Sequence, residues 1–133
     1  MYSTKIVTSF LLHVDKFLIL KRSQNVKSMK NLWAGISGII EGNEEPLQRA
    51  KTEIFEETGL TEDYLVLLKT APQMQISSQY ANHEWTVFPF LFSVKEPNIK
   101  LNWENSEFKW IYSNEISKYQ TVPSLDKVLA SLL

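Results

Sequence analysis

Residues 5–21 read KIVTSFLLHVDKFLILK, and this run constrains the fold more than any other part of the chain. Two stretches rich in β-branched and aromatic residues, Lys5 to Val14 and Phe17 to Lys21, flank Asp15-Lys16, which predicts a β-hairpin. Their apolar residues do not alternate with polar ones. Apolar side chains on both faces need cover on both sides, so the hairpin belongs at the centre of a sheet packed between other elements. The run is too short, and too interrupted by His13, Asp15 and Lys16, to read as a bilayer span. With neither a basic leader nor a small-residue cleavage site, it does not read as a signal peptide either.

The remaining sequence supplies the cover. Asn31 to Ile36 predicts a short strand, after which Gly38 opens a loop running to Glu45. Pro46 suits the first turn of a helix, where its missing N–H costs nothing. That helix runs to about Thr58, with Leu47, Ala50 and Ile54 forming a core stripe and Gly59 as a left-handed stop. Leu65 to Ile76 and Trp85 to Val94 read as long strands joined by the polar segment Ser77 to Glu84, and Pro89 marks the second as an edge or a bulge. Lys109 to Tyr112 adds a short strand. Asn114 to Lys118 and Ser124 to Leu133 read as helices, the latter with Ser124 as N-cap and Leu125, Val128, Leu129 and Leu132 on one face. The order predicts one α/β domain over residues 1–133, its sheet covered on both sides.

Charge and composition narrow the chemistry. Fourteen basic residues against fifteen acidic ones leave a formal charge of -1, without the basic excess of a nucleic-acid-binding domain. A small phosphate-bearing ligand needs only one or two local cations and stays open. The absence of cysteine excludes disulfides, thiolate zinc sites and cysteine nucleophiles, and favours an intracellular, cytoplasmic setting. With two histidines, His13 and His83, a metal site would rest on carboxylates and backbone carbonyls, which suits Mg2+ or Mn2+. The expected partner is a small molecule, with neither nucleic acid nor membrane involved. The sequence leaves the oligomeric state open, a homodimer included.

The segment TEIFEETGL, residues 52–60, concentrates the acidity. Glu53, Glu56 and Glu57 fall at i, i+3 and i+4, where like charges on a helix repel by a few tenths of a kcal/mol per pair. A solvated acidic face is one reading. A divalent cation shared by the carboxylates is the other, with a spare carboxylate free to accept a proton from water.

The wider context, Gly38 to Leu60 (GIIEGNEEPLQRAKTEIFEETGL), resembles the signature of the Nudix hydrolase family. That signature is Gly, five residues, Glu, seven residues, then Arg-Glu-apolar-any-Glu-Glu-any-Gly-apolar. Gly38, Glu44, Glu53, Ile54, Glu56, Glu57, Gly59 and Leu60 match eight of its nine defined positions in register. The resemblance implies an α/β/α sandwich with a mixed sheet, and Mg2+-dependent hydrolysis of the diphosphate linkage in a nucleoside diphosphate joined to another group. It also implies Glu53, Glu56 and Glu57 as metal ligands, with the backbone carbonyl near Gly38. Glu53 is a candidate for activating water. Glu104, six residues before Trp110, matches a position that supplies a ligand or base in some relatives, and Glu107 is a second candidate there; each could equally be a surface carboxylate.

Substrate contacts are less sharply marked. Arg22, after the early strand, is either a phosphate contact or surface charge. Trp33 is either a base-stacking ring or a core residue, with the core favoured. Tyr80 and His83 lie in the polar segment between two strands, where ligand-selecting residues often sit, His83 reading as exposed. The closing segments EWTVFPFLF, LNWENSEFKWI and TVPSL more loosely resemble Nudix domains attached to initiation-factor-two-B-like proteins.

One position departs from the signature: Thr52 stands where the family has arginine. That arginine, by resemblance, pairs with a signature glutamate and holds it. Arg49, four residues before Glu53, is spaced to replace part of the lost charge or else is an ordinary surface arginine. From sequence alone, Thr52→Arg is expected to raise kcat with little change in KM. Two rival readings remain: a weakly active or non-catalytic nucleotide or sugar-phosphate sensor, suggested by Thr52, and an isopentenyl diphosphate isomerase-like enzyme, which by resemblance would need the cysteine this chain lacks.

Overall fold

The computed structural model describes residues 2–77 and 82–133, so Tyr80 lies outside the described residues. The predicted hairpin is present as β1 (Tyr2–His13) and β2 (Lys16–Arg22). Its turn is Val14-Asp15, one residue earlier than the sequence suggested, with φ of 50° and 33°. Positive φ at both central residues gives a turn whose twist matches the strands, at the cost of holding a valine where β-branched residues are strained.

β1 and β2 stay paired only near the turn, at Leu12↔Phe17 and His13↔Lys16. Beyond it they splay, and one segment fills the gap: β3 (Trp33–Ala34) pairs with β2, and β4 (Ile36–Ile39) pairs with β1. Gly38 therefore sits inside a strand, and the loop expected to begin there starts after Ile39.

β5 (Leu65–Thr70), β6 (Met74–Ser77), β7 (His83–Val94) and β8 (Asn105–Ile111) complete a mixed sheet. β1 and β7 run parallel from Tyr2↔His83 to Leu12↔Ser93, while the remaining strand pairs are antiparallel. The single strand expected over residues 65–76 is two, because the chain breaks at Ala71-Pro72-Gln73. Pro89 lies opposite this break, between Thr70↔Phe90 and Met74↔Val87. Strand β7 is thus neither an edge nor bulged at its proline. The partner strand carries the interruption, where Pro89 has no N–H to give; its carbonyl still accepts from Ala71 N at 3.4 Å.

Two helices cover the sheet. α1 spans Pro46–Thr58, as predicted, and ends where Gly59 takes φ 79° and donates its N–H to the Phe55 carbonyl. α2 spans Leu125–Ser131; Ser124 precedes it at φ 61° and makes no side-chain cap bond, its carbonyl instead accepting from Lys127 and Val128. Phe10, Ile19 and Leu91 join Leu125, Val128 and Leu129 of α2 in one cluster. Val7, Leu11, Leu18, Leu20 and Phe92 join Ala50 and Ile54 of α1 in another. Consecutive residues Phe10 and Leu11 belong to opposite cores, which is why β1 shows no alternation.

Candidate active site

α1 presents Glu53 and Glu56 to a cleft of about 480 Å³, while Glu57 is buried and does not line it. Glu53, Glu56, Gly38, Arg22, Arg49 and Glu104 line one end; Ile6, Ile76, Trp85, Val87 and Val122 line the other. One cavity thus joins an ionic end to an apolar end.

Helical spacing puts the three glutamates side by side but in different surroundings. Glu56 is exposed, Glu53 is buried, and Glu57 is the most enclosed, with 4% of its surface accessible. Glu57 Oε1 accepts from Asn105 Nδ2 at 3.0 Å, while its buried Oε2 has no hydrogen-bond partner. Burial pushes the Glu57 carboxyl well above the usual carboxylate range against the pull of Asn105, and nearby Glu104 and Glu53 push the same way. Burial also raises Glu53, opposed by its bond to Arg49.

Gly38 reaches this site through contact. A Cβ at position 38 would fall inside the Glu53 side chain, so the glycine is what lets β4 and α1 approach this closely.

Arg49 binds two carboxylates at once. Its Nε and Nη2 donate to Glu44 Oε1 and Oε2 at 3.0 and 2.7 Å, and its Nη1 donates to Glu53 Oε2 at 2.9 Å. Glu44 Oε1 also accepts the Glu41 N–H at 2.8 Å. Thr52 faces elsewhere, donating to the Gln48 carbonyl at 3.0 Å.

Arg22, at the end of β2, donates from Nε and Nη2 to the Ser28 carbonyl at 3.2 and 3.0 Å. Burial pulls its guanidinium below its ordinary pKa, with Glu57 and Glu104 opposing. Glu104 is brought beside it by a loop tied to β2: Ser23 N–H donates to the Glu104 carbonyl at 2.8 Å, and Ser23 Oγ to the Trp103 carbonyl at 2.8 Å.

The sequence candidates Glu57, Trp33 and Glu107 are not part of the cleft lining, Glu57 because it is buried. Trp33 is 8% accessible and packs edge-on against Tyr119 at 5.4 Å, with Lys109 Nζ 5.6 Å above its ring, so it is a core residue. Glu107 is exposed on β8 and pairs with Lys21 at 3.3 Å. His83 is half-buried rather than exposed, hydrogen-bonded to Thr4 Oγ1 at 2.7 Å and 4.7 Å from the Trp85 ring. Asn105 was missed by sequence reasoning, its one signal being its place beside Glu104.

Among the described residues no three Asp, Glu or His side chains converge on a single point. Glu53 is turned onto Arg49 and Glu57 onto Asn105. The donor set still fits a hard divalent cation: hard oxygen donors, an orphaned buried carboxylate oxygen on Glu57, and a glycine backbone beside them. Among the described residues no helix is long and apolar enough to cross a membrane.

The NUDIX domain family model matches residues 4–132. No curated protein sequence matches the chain. Among solved structures it is similar to a MutT protein from Methanosarcina mazei (22% identity, TM-score 0.76, covering 97% of this chain and 91% of that one). It is similar to a C. elegans Ap4A hydrolase in a binary complex (17% identity, TM-score 0.78, covering 96% and 93%). The NUDIX domain of Shewanella oneidensis NrtR, complexed with ADP ribose, matches at 16% identity and TM-score 0.76, covering 98% and 86%. At these identities the structural matches establish the fold, and they give no support to the looser resemblance to initiation-factor-two-B-associated domains. The family match spans nearly the whole chain, and the chain belongs to the Nudix family, as a Nudix pyrophosphohydrolase acting on phosphoric anhydrides.

Proposed function

We propose that this enzyme hydrolyses the diphosphate linkage of a nucleoside diphosphate joined to another moiety, with Mg2+ or Mn2+ held by Glu53, Glu56, Glu57 and the Gly38 carbonyl. The observation that carries this reading is the single cleft uniting the acidic face of α1, the Arg22 guanidinium and an apolar end. Phosphates belong at the ionic end and a nucleoside at the apolar end. The Ap4A hydrolase and the ADP-ribose-bound domain among the structural relatives put dinucleoside polyphosphates and ADP-ribose-like compounds beside nucleoside triphosphates as substrate candidates.

When bound, the cation supplies charge neutralisation at the diphosphate and makes an attacking water more acidic. The chain's own residues do the rest. Arg22, fixed by Ser28, offers its free N–H groups to phosphate oxygens. Glu53 or Glu104, both in the cleft lining, accepts the proton as water oxygen bonds to phosphorus. The bridging P–O bond breaks, its electron pair leaving with the departing phosphate. Asn105 holds the Glu57 carboxylate in orientation.

A panel of nucleoside triphosphates, ADP-ribose, dinucleoside polyphosphates and nucleotide sugars, assayed with Mg2+ for released phosphate, tests the reading. Glu57→Gln is the control, and turnover that survives it would overturn the site assignment. A compound that raises Tm without being hydrolysed would instead support a sensor role for the same cleft, the reading that Thr52 motivates.

A further inference from the structure

We infer that Arg49 is a positioning residue that does, from one turn earlier on α1, the work the family signature assigns to an arginine at position 52. The inference rests on the α1 carboxylates being the active site. Its basis is the geometry of one side chain. The planar guanidinium fork grips both oxygens of Glu44 and, with its remaining Nη1, one oxygen of Glu53. A point charge such as lysine cannot make this double engagement, because it lacks the rigid fork. Arg49 and Glu53 keep 15% and 10% of their side-chain surface, so the bridge is largely shielded and screened less than an exposed helix pair.

The contacts form a chain rather than an isolated pair. Glu41 N–H donates to Glu44, Glu44 is held by Arg49, and Arg49 holds Glu53. The loop after β4 is thereby tied to the face of α1 that carries the signature carboxylates. Thr52 takes no part; its hydroxyl turns back on the Gln48 carbonyl, and it lines a shallow surface depression with Lys51, Phe55 and Glu62. Its substitution has not left Glu53 without a cation, since the guanidinium arrives from Arg49. The gain in kcat expected for Thr52→Arg from sequence alone is therefore confined to a chain that lacks Arg49: in the parent, both Glu44 oxygens and Glu53 Oε2 are already engaged.

The test compares the parent, Arg49→Ala, Arg49→Lys, Thr52→Arg and the double variant Arg49→Ala/Thr52→Arg. Arg49→Ala should lower kcat about ten- to a hundredfold with KM changed less than about threefold, the pattern of lost positioning rather than lost substrate binding. Arg49→Lys should recover little of that loss. Thr52→Arg alone should change kcat by less than about threefold, and in the double variant should restore at least about tenfold of what Arg49→Ala removed. A second reading uses no turnover: in metal-free protein, amide hydrogen exchange at Glu41 should quicken in Arg49→Ala and slow again in the double variant, and the Mn2+ concentration giving half the maximal Tm shift should rise and then recover. A KM increase with kcat intact would overturn the inference in favour of a phosphate contact, and an unrescued double variant would overturn it outright. If the parent hydrolyses no diphosphate, the functional reading fails by itself, and the exchange and Mn2+ measurements still decide what Arg49 holds.

Discussion

The two helices that cover the sheet divide its needs unequally. α2 buries Leu125, Val128 and Leu129, all apolar, against one face. α1 buries Ala50 and Ile54 against the other, but it also buries Glu53 and Glu57. Two carboxylates taken out of water beside one another are a liability to a folded chain unless something compensates them. α2 supplies apolar burial, with Leu125 and Val128 also lining the cleft, whereas α1, on the proposed reading, gives up stability to hold chemistry in place.

That contrast can be broken most forcefully at Glu57. Glu57→Gln removes the charge but keeps an acceptor for Asn105, so kcat should fall about a thousandfold or more, roughly 4 kcal/mol on the barrier. Without metal, the same variant should melt at an equal or higher temperature than the parent, because the cost of burying an ionisable carboxyl beside Glu53 and Glu104 is gone. Calorimetry in chelator beside steady-state kinetics reads both; a clear drop in metal-free Tm would put Glu57 among the structural residues.

Leu129→Ala should do the reverse. It empties a fully enclosed site on α2 and should cost about 2–5 kcal/mol in denaturant unfolding. Turnover per folded molecule should stay within about twofold, since Leu129 does not line the cleft. A large kcat loss at full folding would mean that Leu129 sets the position of Leu125 and Val128, the α2 residues that line the cleft.

Gly38→Ala tests how closely β4 and α1 must approach. Its methyl displaces Glu53, and kcat should drop about tenfold to a hundredfold while unfolding free energy changes by about 1–2 kcal/mol. Kinetics matching the parent in this variant would show that Glu53 can relocate without consequence. Smallest of all, Glu107→Gln should leave kcat and KM unchanged and cost less than about 0.5 kcal/mol, as expected of an exposed pair with Lys21. A tenfold KM increase would return Glu107 to the substrate site.

The sequence announces what repeats locally and hides what is assembled at a distance. α1 is readable almost to the residue because Pro46, the Leu47–Ala50–Ile54 stripe and Gly59 each act within a turn of themselves. The acidic stripe follows from the same periodicity. By contrast, the parallel β1–β7 pairing joins residues some eighty positions apart, and no local pattern encodes it. β8 begins at Asn105, four residues before the expected Lys109, because polar, exposed Ser106 and Glu107 offer no apolar pattern from which its start could be read, and Phe108, though apolar, is 37% exposed. The Arg49–Glu53 spacing is visible in sequence, whereas the grip on Glu44 depends on how the loop before α1 folds back. Trp33 has two chemically sound readings, and only packing against Tyr119 separates them.

The proline in β7 has a consequence for solubility. β5 ends the strand order with Val66, Leu67 and Leu68 all at least 42% exposed, and among the described residues nothing pairs with its outer side. One unbroken strand over residues 65–76 would offer a long, apolar template to a neighbouring molecule's backbone. With Pro72 within the break and Pro89, which has no N–H to donate, opposite it, that template is divided into two short pieces, which limits pairing with a neighbouring molecule's backbone.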